Sequence, residues 1–291
     1  MPLKKLNCQL IDIRCKSSRF KVKLKKLGKK YNLSQGRITN QYDRTDIKKN
    51  VLNDIDTVLE YVISIEKFEP HSVYLRGSCL EGSESALDMD LIILHDENFD
   101  QVGNYGYELL NGHWSYTDHS KELISRVNIF VDISFMSVKE FTKDIETRFL
   151  SKKVYGDDLD LSMSELCVKD IVLYPELPQN HRNLPALKRI LYGEVTADQN
   201  LLNRVMKGYI QDFYRDFGLI SLIRNNAYSN SIYHCHHALL NDMPYLREKL
   251  EFVLDVFLNT DAYSKRSLRS LIHDMSHLAE ECNHITHKEK V

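Results

Sequence analysis

Apolar residues recur along this chain at two spacings, and each spacing predicts a kind of element. Between Asp46 and Ile65, the positions Val51, Leu52, Ile55, Val58, Leu59, Val62 and Ile63 follow the i, i+3, i+4 rule of an amphipathic helix. Pro70 blocks its continuation and hands over to a short strand pattern at Val73-Tyr74-Leu75. A second apolar run, Leu91-Ile92-Ile93-Leu94, follows, and Asp96–Gly112 reads as a loop with a short helix. Over 127–135 the sequence alternates, with Val127, Ile129, Val131, Ile133 and Phe135 on one face and Asn128, Phe130, Asp132 and Ser134 on the other, which predicts a strand. Ser137 and Glu140 make a capping box for a helix to Leu150, with Val138, Phe141, Ile145 and Phe149 as its stripe.

Pro175, Pro178 and Pro185 break the next stretch and carry the chain between domains. From Thr196 onward the pattern is helical. Leu201, Leu202, Val205, Met206, Tyr209, Ile210, Phe213, Phe217 and Ile220 form one long stripe, and shorter segments near 231–240, 244–259 and 262–280 suffice for a small antiparallel bundle. The predicted class is α+β followed by an all-α helical bundle, in three parts: a basic helical segment over 1–45, a domain over 46–175 and a helical domain over 176–291.

Composition changes the picture in two ways. At 291 residues and 43% hydrophobic the chain can bury a sizeable core, no apolar run approaches membrane-spanning length, and the N-terminus lacks the apolar core of a signal peptide. The six cysteines (Cys8, Cys15, Cys79, Cys167, Cys235, Cys282) have no framework spacing, so the expectation is reduced thiols in a cytoplasmic protein. The net charge of −2 conceals an asymmetry: residues 1–50 hold 15 of the 39 Lys/Arg and 3 of the 41 Asp/Glu, leaving 24 basic against 38 acidic residues elsewhere. Such an arm either meets nucleic acid or packs on the protein's own acidic body.

The candidate chemistry lies in His71–His95, HSVYLRGSCLEGSESALDMDLIILH. Gly77 allows a sharp exit from the first strand, and Ser78 stands where a helix N-cap belongs, so that free backbone N–H groups would face an anion. Asp88 and Asp90 share one face of the second strand while Met89 points away. Two such close carboxylates repel each other and call for a cation between them, for which magnesium with substrate phosphates is the natural solution. Asp132 is an acid in the middle of a β-favouring strand, a place where Asp is disfavoured unless it has a task. It is the candidate third carboxylate, with Asp118 and Asp144 as competitors outside a strand.

Gly77-Ser78, nine residues, then Asp88-Met89-Asp90 resembles the signature of the DNA polymerase β-like nucleotidyltransferase superfamily, whose minimal and aminoglycoside-type members combine a small mixed sheet and flanking helices with a C-terminal helical domain. The resemblance implies that Asp88, Asp90 and a third carboxylate hold two magnesium ions, or manganese in their place, and that Gly77 and Ser78 grip the phosphates of ATP or another nucleoside triphosphate. Leu87 departs from the small polar residue many members carry there. Ser151–Leu159 is similar to the short strand and turn that close the catalytic domain in bacterial members. A basic residue of the helical domain meets the triphosphate in many members, and Lys207, which shares a polar face with Arg204 and Arg215 beside Asp212 and Asp216, is the matching candidate.

Two further segments carry residue types suited to chemistry. Leu27–Asn40 has the look of a helix-turn-helix, with Asn32 at the turn, Leu33-Ser34 opening the second helix and Ile38 packing back; a basic helical hairpin is the other reading. His234, Cys235, His236 and His237 cluster, as do His273, His277, Cys282, His284 and His287, but the paired C–C and H–H spacings of a structural zinc site are missing.

The expectation is thus a metal-dependent nucleotidyltransferase acting on a hydroxyl acceptor: a small aminoglycoside-like compound, a protein side chain, a second nucleotide or an RNA end reached through residues 1–50. The alternative is a catalytically inactive nucleic-acid-binding protein that keeps the fold. Salt dependence separates the roles of the arm. If it holds nucleic acid, replacing Lys29, Lys30 and Arg37 together by Gln flattens the fall of RNA affinity with salt, by a slope of about 1 for each lost phosphate contact. Fluorescence anisotropy across a salt series measures this, and absence of RNA and DNA binding at low salt assigns the arm to internal packing.

Overall fold

The computed structural model describes residues 33–39, 47–80, 88–96, 103–159, 165–171, 183–229 and 231–288. In chain order its elements are β1 (Ser34–Gln35), β2 (Arg37–Thr39), α1 (Lys49–Glu66), β3 (Ser72–Arg76), a four-residue α2 (Gly77–Leu80) and β4 (Asp88–His95). Next come β5 (Tyr107–Leu110), β6 (His113–Tyr116), α3 (Asp118–Val127), β7 (Phe130–Ser137), α4 (Val138–Lys143), α5 (Ile145–Phe149) and β8 (Ser151–Gly156). The rest is β9 (Glu165–Cys167), α6 (Leu184–Tyr192), β10 (Thr196–Ala197), α7 (Gln199–Arg224), β11 (Ala227–Tyr228), α8 (Ile232–Asp242), α9 (Arg247–Leu258) and α10 (Lys265–Lys288). The class is α+β. Two compact units are formed, one from Ile38–Leu166 and one from the described residues on either side of that span. Among the described residues no helix is long and apolar enough to cross a membrane, and Cys79, Cys167, Cys235 and Cys282 are free thiols.

The unit Ile38–Leu166 is built on a mixed four-stranded sheet in the order β7-β4-β3-β8. β3 runs antiparallel to both β4 and β8, whereas β4 and β7 are parallel and so need a crossover, which passes through the β5–β6 hairpin and α3. Side chains alternate along each strand, giving the sheet two faces. On one, Val73 and Leu75 of β3, Met89, Leu91 and Ile93 of β4 and Val131 of β7 are buried. α3 packs on β7 and α1 on α3, and these helices bury Leu123, Ile55, Val58, Leu59 and Val62. On the other, Tyr74, Ile92 and Leu94 form a core with Phe141 of α4, the Tyr74 and Phe141 rings lying 4.4 Å apart.

Several sequence expectations are revised here. The strand expected over 127–135 starts only at Phe130: Val127 ends α3, and Asn128 closes that helix in the left-handed conformation (φ 53°), which Asn tolerates. Of Asp96–Gly112, residues 97–102 lie outside the described residues, and the later part is a hairpin in place of a loop, because Asn111-Gly112, both at positive φ (50° and 74°), turn β5 into β6. The helix expected over 137–150 keeps its capping box but is cut in two at Asp144. The Asp144 carboxylate accepts from the Thr147 N–H (3.0 Å) and hydroxyl (2.6 Å), starting a new turn in place of continuing the old one. Pro185 does not break the chain. It occupies the first turn of α6, where its missing N–H costs nothing.

The helix-turn-helix reading fails where the structure can be compared with it. Ser34 and Gln35 pair as a strand with Tyr228 and Ala227, Gly36 turns at φ 72°, and Arg37–Thr39 is again extended, so no second helix opens at Leu33-Ser34. Its first half, Leu27–Asn32, lies outside the described residues, as do most of residues 1–50, Gly82, Leu87, Pro175 and Pro178.

In the second unit α7 is the central helix. It buries Leu201, Leu202, Val205, Met206, Tyr209, Ile210, Phe213 and Phe217, as the stripe predicts, and Tyr214 in addition. α8, α9 and α10 fall on the three shorter patterned segments. Tyr214 donates to the Leu250 carbonyl (2.5 Å), and its hydroxyl meets His236 Nδ1 at 3.3 Å, so a histidine from the His-Cys cluster is a core residue. Burial, with His237 and Arg247 adding to it, pushes His236 down to about 3.

α7 and α8 approach closely at Gly218. A Cβ there would stand 2.4 Å from Cys235 Cβ and 2.7 Å from its Cα and carbonyl oxygen, contacts that backbone cannot yield. Gly218→Ala is therefore expected to lower stability by about 1–3 kcal/mol despite the higher helix propensity of Ala. Urea denaturation measures this, and a neutral or stabilising result would show that α8 can retreat freely.

Candidate active site

The strand registers line up a row of polar residues across the sheet. Ser151 of β8 is opposite Arg76 of β3, Arg76 is opposite Asp90 of β4, and Asp90 is opposite Asp132 of β7. Laterally paired residues share a face, and Asp88, two residues before Asp90, joins them. The next row toward the strand ends is Tyr74 opposite Ile92, which Phe141 covers. This face thus changes from buried hydrocarbon to a carboxylate edge within one step of two residues, about 7 Å. Asp132 is exposed, Asp88 and Asp90 are half-buried, and Met89 between them is buried.

Gly77 closes in on this row. Its φ is +70°, which favours glycine, and a Cβ on it would lie 2.3 Å from Asp90 Oδ2, so a larger residue would force the Asp90 carboxylate to turn away. Gly77 opens α2 itself, two residues earlier than an N-cap role for Ser78 requires. Ser78 lies inside that turn, and its side chain is outside the described residues. Cys79 sits beneath, its thiol donating to the Asp88 carbonyl (3.2 Å). Burial, then the negative charges of Asp88, Asp90 and Asp54, push that thiol up to about 11.

Both competitors for the third carboxylate are placed elsewhere. Asp118 lies in the first turn of α3, 3.1 Å from Lys121, and Asp144 is spent on Thr147. Thr147 in turn accepts from Arg76 Nη1 (3.3 Å), which ties the guanidinium to the end of the row away from Asp132. Sequence pattern alone does not point to Arg76, and it marks Cys79 only as one of six cysteines. The position of Arg76 next to Gly77 is the one signal it offered.

Strand register brings Asp88, Asp90 and Asp132 to one face without closing their carboxyl groups into an ion-holding group. No three His, Cys, Asp or Glu side chains among the described residues form such a group. Arg204, Lys207 and Arg215 are half-buried residues of α7. No protein-family model matches this chain, and neither a curated protein nor a solved structure is similar enough to it to count as a match.

The closeness of Gly77 and Asp90 is testable by a double-mutant cycle. Gly77→Ala is expected to destabilise by about 1–3 kcal/mol through strain and collision. In an Asp90→Ala background the collision is gone and only the positive-φ strain persists, so the two changes couple by about 1 kcal/mol or more. Additive effects in denaturant unfolding would separate the two residues.

Proposed function

We propose that this protein is a metal-dependent nucleotidyltransferase that moves a nucleoside monophosphate from a nucleoside triphosphate to a hydroxyl acceptor. The observation that carries this reading is the parallel pairing that sets Asp132 beside Asp90, with Asp88 on the same face and Gly77 against the Asp90 carboxylate. In the reaction the acceptor oxygen bonds to the α-phosphorus, the bond from that phosphorus to the bridging oxygen breaks, and pyrophosphate leaves.

The donor set fits magnesium. Three carboxylates offer hard oxygen ligands on an edge that stays in reach of water. Asp88 and Asp90 would hold both ions, and Asp132 would complete the site nearer the acceptor. The chemistry such ions supply when bound is a lowered pKa of the acceptor hydroxyl and neutralisation of charge on the leaving pyrophosphate.

The chain's own residues do the positioning. Gly77, with no side chain, lets the phosphates approach the backbone next to Asp90, and Ser78 adds a donor to them. The buried rows behind the site hold β4 and β7 rigid, so the carboxylates keep their spacing as charge builds up. The acceptor is a hydroxyl compound or an RNA end, the latter drawn in by the basic residues 1–50.

Incubation of the full chain with each labelled nucleoside triphosphate and magnesium, with and without total RNA, tests the reading through pyrophosphate release. Asp88→Asn, Asp90→Asn and Asp132→Asn are each expected to abolish transfer while stability in metal-free buffer is unchanged or raised, because like charges are removed. Full turnover in Asp132→Asn would move the third ligand elsewhere, and no transfer by the wild type with any triphosphate, alongside RNA binding, would leave the non-catalytic binder.

A further inference from the structure

α6 and α10 of the helical unit border an open cavity of about 170 Å³ lined by Lys188, Leu191, Tyr192, Arg269, Ile272, His273 and Ser276. Helical spacing explains the set. Lys188 and Tyr192 are one turn apart on α6, and Arg269, His273 and Ser276 follow each other along one stripe of α10. Leu191 and Ile272 are buried and form an apolar floor, while Lys188 and His273 are exposed at the rim. The lining holds three basic side chains and no carboxylate.

Arg269 carries the argument. Its guanidinium lies over the Tyr192 ring, 5.1 Å from the ring centroid, a cation–π contact that favours this position of the side chain. Its Nε is buried and has no hydrogen-bond partner. A phosphate oxygen is about the size of a water molecule, so Nε, closed off from solvent, is out of its reach, and an anion in the cavity would be met by the terminal N–H groups of the guanidinium. The planar fork suits tetrahedral oxyanions, and Lys188 adds a second charge from the facing helix. The volume is well below the about 300–1,000 Å³ of sites that enclose a whole small molecule, so it suits one phosphoryl-sized group.

We propose that Arg269 and Lys188, with His273, form a binding site for a phosphoryl group, either free phosphate or the phosphate of a small phosphomonoester. This site is separate from the carboxylate edge and does not depend on transferase activity. Calorimetric titration of the full chain in EDTA, with inorganic phosphate in one arm and adenosine monophosphate in the other, tests it. Wild type is expected to bind at least one of them; stronger binding of the monophosphate identifies a phosphomonoester, and equal or stronger binding of phosphate identifies the free anion. Lys188→Gln, an exposed change that spares the fold, is expected to weaken binding about tenfold, and Arg269→Gln at least as much. Asp88→Asn combined with Asp90→Asn should leave this binding unchanged, which separates it from nucleotide held at the carboxylate edge. No binding of either ligand by wild type, undiminished binding in Lys188→Gln, or loss in the double aspartate variant would overturn the proposal.

Discussion

The unit Ile38–Leu166 depends on the parallel pairing of β4 with β7. Eight successive pairs, from Asp88 opposite Phe130 to His95 opposite Ser137, fix which side chains share a face. A slip of one residue would turn Asp132 to the opposite face and expose Val131, so burial of Val131, Leu91 and Ile93 holds the polar row in place. Hydrophobic burial on one side thus sets the electrostatics on the other. Like charges on adjacent strands oppose pairing, and the apolar rows outweigh that repulsion.

The division of one sheet face into a covered end and an acidic end follows from the length of the helices that cover it. α4 is cut off at Asp144, and its Phe141 reaches the Tyr74–Ile92 row. Asp144 and Thr147 at the break then supply the acceptor for Arg76. A longer, unbroken helix would have carried its apolar stripe further along the sheet. The break has a local cause, an Asp that caps Thr147, and its consequence is an open edge.

The helical unit is organised by a different constraint, the close packing of α7 and α8 at Gly218 and the buried Tyr214–His236 contact. Its histidines show how burial changes chemistry. On sequence alone His234, His236 and His237 are a cluster of metal-ligating types, but desolvation disfavours the charged form of each and His236 is a core residue. Arg269, on the stripe of α10 that faces α6, has its Nε buried without a hydrogen-bond partner.

Long periodic elements were legible in the sequence because burial imposes their period: α1, α7 and the stripe of β7 need no partner to be read. The carboxylate pair Asp88 and Asp90 was legible for the same reason, since alternation along one strand is a local property. Asn111-Gly112 carried a hairpin signal, the need for positive φ at both turn positions, although the surrounding polarity reads as loop. Which residues lie beside Asp90 was decided only by tertiary structure. Arg76 and Asp132 are separated from it by 14 and 42 positions, and their registers depend on strands being pinned by cores far along the chain. The strand conformation of Ser34–Thr39 was likewise beyond local reading, because Ser34 and Gln35 find their partners in Tyr228 and Ala227, almost two hundred residues away, and backbone hydrogen bonds over that distance override a helical propensity pattern.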